Sequence, residues 1–242
     1  MSGHSKWNNI KHKKEKADAA KAKIFTKIGK EMAVAIKECG PDPSNNSKLR
    51  DLIAKAKANN VPNENIQRTI KKFTDSGDIN YEEITYEGYG PSGVAIIVET
   101  STDNRNRTAG NVRAAFNKYG GNLGQNGCVG FLFEEKGVIT IVDEDDELDE
   151  DKVMEDALEC GAEDIRCDDG EYTIYSDPSD LDSVRDAVIS LGYKIETADV
   201  AKVPSTYVTL ENEDDIENME KMLDKFNEDD DVNAVYTNWD NK

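Results

Sequence analysis

The sequence predicts an α+β fold in three domains: an N-terminal three-helix domain followed by two ferredoxin-like α/β domains, one inserted in the other. Three observations predict it. Apolar residues recur about every fourth position up to Gly77 and every second position after it, which is a change from helical to strand spacing. Between residues 138 and 200 the patterned segments run β-α-β-β-α-β, the ferredoxin-like order. Residues 84–133 supply only β-β-α-β, and a strand-helix-strand tail at 207–236 supplies the missing half. The expected division is 1–78 for a basic arm and helical domain, 79–133 plus 205–242 for a discontinuous α+β domain, and 134–204 for an inserted acidic ferredoxin-like domain.

Residues 1–16 read as an arm with Trp7 and Ile10 as its only large apolar groups. From Asp18 to Cys39, Ile24, Ile28, Met32 and Ile36 mark one face of a helix, which Gly40-Pro41 ends. Ser47 is the expected N-cap of a second helix carrying Leu49, Leu52, Ile53 and Ala56, and Ile66, Ile70 and Phe73 mark a third. Strands are expected at Ile84–Glu87, Val94–Thr100 and Val129–Phe133, the second central because its apolar run is unbroken. A helix is expected from Thr108 to Tyr119, with Asp103 or Asn104 as its cap. The inserted unit begins with a strand at Val138–Val142, followed by helices at 149–160 and 179–191 with strands around Ile165, at Tyr172–Tyr175 and at 193–200. The tail reads as a strand at Tyr207–Leu210, a helix at 213–227 and a strand at Val232–Tyr236. Three decapeptides, at 112–121, 153–162 and 184–193, each begin with Val and place Gly ninth, the residue expected to turn left-handed after a helix.

Charge is divided unevenly along the chain. The whole carries 30 Lys+Arg against 50 Asp+Glu, a net −20. Residues 1–80 nevertheless hold 17 basic against 9 acidic side chains, whereas 134–242 hold 9 against 36. Nine lysines fall in the first 30 residues. A polyanion would be drawn to one end of this protein and repelled by the other. No apolar run approaches the roughly 18 residues that span a bilayer, so no membrane role is expected. The N-terminus has no apolar secretory core, and the chain is expected to be cytoplasmic. Cys39, Cys128, Cys160 and Cys167 have no C-x2-C spacing and are expected to be reduced and packed. His4 and His12 are the only histidines, which argues against histidine catalysis and a His-rich metal site.

Two segments carry candidate chemistry. The arm interleaves Lys6, Lys11, Lys13, Lys14 and Lys16 with Trp7 and His12, and Lys21 and Lys23 continue the charge into the first helix. Lysines neutralise phosphates and an indole can stack on an unpaired base. The other segment, Thr102 to Thr108, joins a strand to a helix N-terminus, where free N–H groups, Arg105 and Arg107 would meet an anion. The alternative there is a capping loop whose arginines pair with the acidic domain. Gly88-Tyr89-Gly90 joins two strands and opens no helix, so it reads as hairpin chemistry. The carboxylates at 143–151 lack the spacing of a calcium loop. No P-loop, zincin or nucleophile-elbow motif occurs, so no cofactor, metal, small-molecule substrate or enzymatic activity is expected.

The stretches GHSKWNNIKHKK, KIFTKIGKEM, NSKLRDLIAKAKANNVP, IQRTIKKF, YEGYGPSGVAIIVE, TDNRNRT and GGNLGQNGCVGFLF, in that order, resemble the YebC/PmpR family. The resemblance spans the chain and thins in its acidic part. It implies a three-domain α+β protein with a cleft between domains that regulates gene expression. DNA-binding transcriptional regulation is the first expectation. The alternative that the resemblance implies is translational: mitochondrial relatives are translational activators, and some members are ribosome-associated factors that relieve stalling at proline-rich stretches. The expected partner is accordingly DNA, or ribosomal RNA and the ribosome, bound by a monomer.

Overall fold

Helix α1 (Ala17–Cys39) carries Ile24, Ile28, Met32 and Ile36 on one stripe and packs them against α2 (Ser47–Ala58) and α3 (Asn63–Ser76). The structure, a computed structural model, describes residues 17–76, 80–143, 148–168 and 170–240, so the arm lies outside the described residues. Ile28, Met32, Leu49 and Ile66 are at most 1% exposed, and burying such side chains stabilises by about 1.5–3 kcal/mol each. Ala33 and Val34, off the stripe, are buried too, and α1 also lies on the sheet that follows.

Asn46, not Ser47, caps α2. Its Oδ1 accepts from the Leu49 N–H at 3.0 Å, while its Nδ2 donates to the carbonyls of Ala35 and Gly40, both at 2.8 Å. One amide thus starts one helix and satisfies the end of another, which a serine hydroxyl with a single proton cannot do.

In chain order the remaining elements are β1 (Glu82–Tyr89), β2 (Ala95–Thr102), α4 (Arg105–Lys118), β3 (Asn122–Leu123), β4 (Phe133–Val142), α5 (Glu150–Glu159), β5 (Asp164–Asp168), β6 (Glu171–Ser176), α6 (Leu181–Ser190), β7 (Ile195–Pro204), β8 (Val208–Thr209), α7 (Glu213–Glu228), β9 (Val232–Thr237) and β10 (Trp239–Asp240). They build one four-stranded sheet of order β3-β1-β2-β9 and another of order β5-β6-β4-β7, all neighbours antiparallel.

Strand β2 lies inside the first sheet and is buried on both faces, as its unbroken apolar run predicts. Ile96 and Val98 join a core with Val112 and Phe116 of α4 and Met219 and Phe226 of α7. Ala95 and Ile97 alternate to the opposite face and meet Val129 and Phe133. The central pair here is the hairpin β1–β2, while the tail contributes β9 at an edge. Strand β8 stays outside this sheet and pairs in parallel with β10.

The second sheet has the ferredoxin-like strand order, and α5 and α6 share a core with it around Ile139, Ile141, Val153, Ile174, Val184 and Val188. β4 pairs with β7 from Phe133 opposite Pro204 to Ile141 opposite Ile195, so the chain enters and leaves residues 134–204 at adjacent points. At the seam Lys202 of β7 lies 2.9 Å from both Glu99 of β2 and Glu135 of β4. Gly120, Gly161 and Gly192, the ninth residues of the three decapeptides, follow α4, α5 and α6 with φ of 79°, 97° and 97°, the left-handed turn their positions predict.

The strand expected at Val129–Phe133 does not form. Gly130–Leu132 make a 3-10 turn, and β4 begins at Phe133. The cause is Glu87, 8% exposed on β1. Its carboxylate accepts from the N–H groups of Gly127 at 2.8 Å, Val129 at 2.8 Å and Gly130 at 2.7 Å, taking donors that a strand ladder would use. Burial raises the pKa of Glu87, but the three backbone hydrogen bonds outweigh it and hold the carboxyl below its ordinary value.

Candidate nucleic-acid interface

Of the expected contacts, Lys6, Trp7, Lys11, His12, Lys13, Lys14 and Lys16 belong to the arm and lie outside the described residues. Lys21 lies in α1. The structure therefore bears on the root of the arm and on the Thr102–Thr108 loop, and it brings these two together.

Lysines 23, 27 and 30 recur along α1 at helical spacing and meet the C-terminal end of α7. Lys23 Nζ donates to the Glu228 carbonyl at 2.6 Å and lies 3.9 Å from the Asp230 carboxylate. Lys27 Nζ donates to the Asn227 carbonyl at 3.3 Å. Lys30 Nζ donates to the Asp230 carbonyl at 2.8 Å and to Asp231 Oδ1 at 2.7 Å. Cations suit this place, because the last carbonyls of a helix carry the negative end of its dipole.

Asp231 is also where the second segment arrives. Asn104 caps α4 through its Oδ1, which accepts from the Arg107 N–H at 3.1 Å. That folds Arg107 back, so its Nη2 donates to Asp231 Oδ2 at 2.7 Å and to Asp103 Oδ1 at 2.8 Å. The Thr108 hydroxyl donates to the same Asp231 oxygen at 2.8 Å. Asp231 is 3% exposed. Burial alone would raise its pKa, yet the hydrogen bonds from Lys30, Arg107 and Thr108 outweigh burial and lower it to about 2. Those same bonds to Asp231 and Asp103 raise the pKa of Arg107 above its ordinary range.

Two of the expected contacts have partners within the protein and still reach the surface: Lys23, 33% exposed, meets helix-end carbonyls, and Arg107, 46% exposed, meets two carboxylates. Arg105, in the first turn of α4, is exposed. Sequence reading missed Asp231, Lys27 and Lys30. The lysine stripe of α1 was a readable signal, but Asp231 sits in an acidic run, Glu228 to Asp231, where no local pattern distinguishes it from its neighbours.

Among the described residues, no group of three or more His, Cys, Asp and Glu side chains is placed to hold a metal ion. All four cysteines are free thiols. No helix among the described residues is long and apolar enough to cross a membrane.

Comparison with known proteins matches this arrangement along its whole length. A probable transcriptional regulatory protein of Agathobacter rectalis is 56% identical over 241 residues, covering 99% of this chain and 100% of that protein. One of the same description from Acetivibrio thermocellus is 55% identical over 240 residues, covering 99% of each. The crystal structure of a conserved hypothetical protein from Aquifex aeolicus superposes with a TM-score of 0.81 at 42% identity, covering 96% of this chain and 95% of that one. Residues 5–76 match the family model of the TACO1/YebC protein N-terminal domain, and residues 81–239 match that of the TACO1/YebC second and third domain. The chain belongs to the TACO1/YebC family.

Proposed function

We propose that this protein regulates gene expression by binding nucleic acid through its basic N-terminal end, as a DNA-binding transcriptional regulator. The observation that carries the reading is the charge division: 17 basic against 9 acidic side chains in residues 1–80, and 9 against 36 in residues 134–242. A phosphate backbone meets attraction at one end only, so the charge orients the protein on the polyanion as well as holding it. The relatives named probable transcriptional regulatory proteins supply the cellular context. Lys6, Trp7, Lys11, His12, Lys13, Lys14, Lys16 and Lys21 are the proposed contacts, together with Arg105 on α4. Lys23 and Arg107 are proposed contacts too, and with Lys30 they also tie α1 and α4 to the end of α7 and to Asp231.

The test is nuclease-controlled gradient fractionation of a lysate, joined to recovery of bound DNA. Enrichment of defined promoter DNA supports the proposal. Nuclease-resistant co-migration with ribosomes, without promoter enrichment, replaces it with the translation-factor role.

A further inference from the structure

Residues 119–133 contain no charged side chain, the longest such run in a chain that is one-third charged. Within it, Phe131 is 75% exposed, the most exposed of the large apolar side chains among the described residues. An exposed phenylalanine on a loose loop would mean little, but this loop is held at many points. Glu87 binds the N–H groups of Gly127, Val129 and Gly130. The Tyr89 hydroxyl donates to the Cys128 carbonyl at 3.0 Å, and Gly124 N–H donates to the Glu87 carbonyl at 2.8 Å. From the far side of the insertion, Ser205 N–H donates to the Leu132 carbonyl at 2.9 Å. Gly127 takes a φ of 86°, which an L side chain rarely adopts. A buried carboxylate and a set of backbone bonds thus hold a turn whose tip is an aromatic ring in water.

We propose that this loop is a stacking platform for an unpaired nucleobase, with Phe131 as the ring on which the base lies. The inference rests on the nucleic-acid reading above and adds a site distinct from the arm. Three features select this ligand. A base offers a π-face to Phe131, which any base can use. Asn122, Gln125 and Asn126 are exposed on the same loop, and their amides match the donor and acceptor edges of a base. The loop itself carries no charge to repel a phosphate, and the ionised Glu87 carboxylate that holds it is buried and faces backbone donors. An apolar protein pocket would want an aliphatic surround, but Leu123, Val129 and Leu132 are partly or fully buried.

The test compares the full-length protein with its Phe131→Ala and Phe131→Trp variants. Fluorescein-labelled oligouridylate, oligothymidylate and a mixed-sequence duplex are titrated at one fixed salt concentration and read by anisotropy. Phe131→Ala is expected to weaken single-strand binding about 5- to 100-fold, leaving duplex binding and the melting midpoint unchanged. Phe131→Trp is expected to restore affinity, with indole emission quenched at saturation by more than in the unmodified protein, whose Trp7 and Trp239 set the baseline. Unchanged single-strand affinity in Phe131→Ala would overturn this site alone and assign the ring to a protein partner. An equal loss on single strand and duplex together with a lower midpoint would overturn it as structural. Failure of the unmodified protein to bind any of the three would bring down the nucleic-acid reading itself, and this site with it.

Discussion

Lys30 Nζ sits 2.7 Å from Asp231 Oδ1, an ion pair between residues 201 positions apart, with only 12% and 5% of the two side chains exposed. It joins α1 to the turn between α7 and β9. Arg107 and Thr108 bind the other oxygen of the same carboxylate. One side chain, between α7 and β9, therefore ties α1 and α4 together. A carboxylate this buried is tolerated because its partners satisfy both oxygens.

Removing that carboxylate tests the tie. Asp231→Ala leaves Lys30 without its charged partner in a nearly dry site. The expected loss is about 3 kcal/mol of unfolding free energy, the low end for breaking a buried pair because Arg107 is half exposed. Urea denaturation measures it. A loss below about 0.5 kcal/mol, the level of an exposed pair, would show that the contact is decorative.

The same group sets an acid limit. The folded protein holds Asp231 at about 2, below its ordinary 3.8. A depressed carboxyl contributes stability that is fully present above the unfolded value and is lost as pH falls through the folded one. The gap between the unmodified protein and Asp231→Ala is expected to stay constant from pH 7 to about 5 and to close between about pH 4 and 2. A gap independent of pH would exclude ionisation of Asp231 as its source.

The arm is expected to contribute to binding and little to the fold. Replacing Lys11, Lys13 and Lys14 with Glu should weaken nucleic-acid binding and leave the melting midpoint unchanged, since terminal segments contribute little to stability. Each lost phosphate contact should also shallow the log–log salt dependence by about 0.7–0.9. Filter binding at four salt concentrations reads both quantities, and an unaltered slope would remove these lysines from the interface.

What could be read from the sequence was governed by local rules. The stripe Ile24, Ile28, Met32 and Ile36 found its helix, and the glycines at 120, 161 and 192 found three helix ends, because periodicity and positive φ depend on near neighbours. Readings failed where a distant residue decided. Residues 129–133 look like a strand until Glu87, 42 positions before Val129, claims the N–H groups of Val129 and Gly130. Ser47 looks like a cap until Asn46 is seen bonded to the end of α1. The arginines of 102–108 are expected either to meet an anion or to pair with acid, and the acid partner of Arg107, Asp231, lies at the far end of the chain. Phe131 has no periodic signal, since its exposure follows from a turn that Glu87 imposes.

Glu87→Gln isolates that turn. The substitution keeps size but replaces one acceptor oxygen with a donor, facing N–H groups that also donate. About 1–3 kcal/mol should be lost, the cost of a buried unsatisfied group. Amide exchange should accelerate at Gly127, Val129 and Gly130 before it does in β2. Uniform acceleration across the sheet would mean that Glu87 supports the whole domain instead of this loop.

The last prediction concerns residues 134–204, which we propose form a domain inserted into another. Their core of Ile139, Ile141, Val153, Ile174, Val184 and Val188 is drawn from within the segment. Their two ends face each other where Phe133 pairs with Pro204, so a short Gly-Ser bridge can close the gap that excision leaves. The excised piece is expected to melt cooperatively by itself. It should not bind nucleic acid, because 24 acidic against 6 basic side chains repel phosphate. The remainder, 1–133 joined to 205–242, should keep most of the binding but melt at a lower temperature than the whole. The reason lies at the seam: Lys202 leaves with the insertion, so Glu99 loses its cation, and Tyr236 loses the apolar cover of Ala201 and Val203. Circular dichroism melts and filter binding on the two pieces decide the matter. A disordered excised piece would show that the second sheet needs the first for its folding. Affinity retained by the excised piece would show that the charge division does not direct binding.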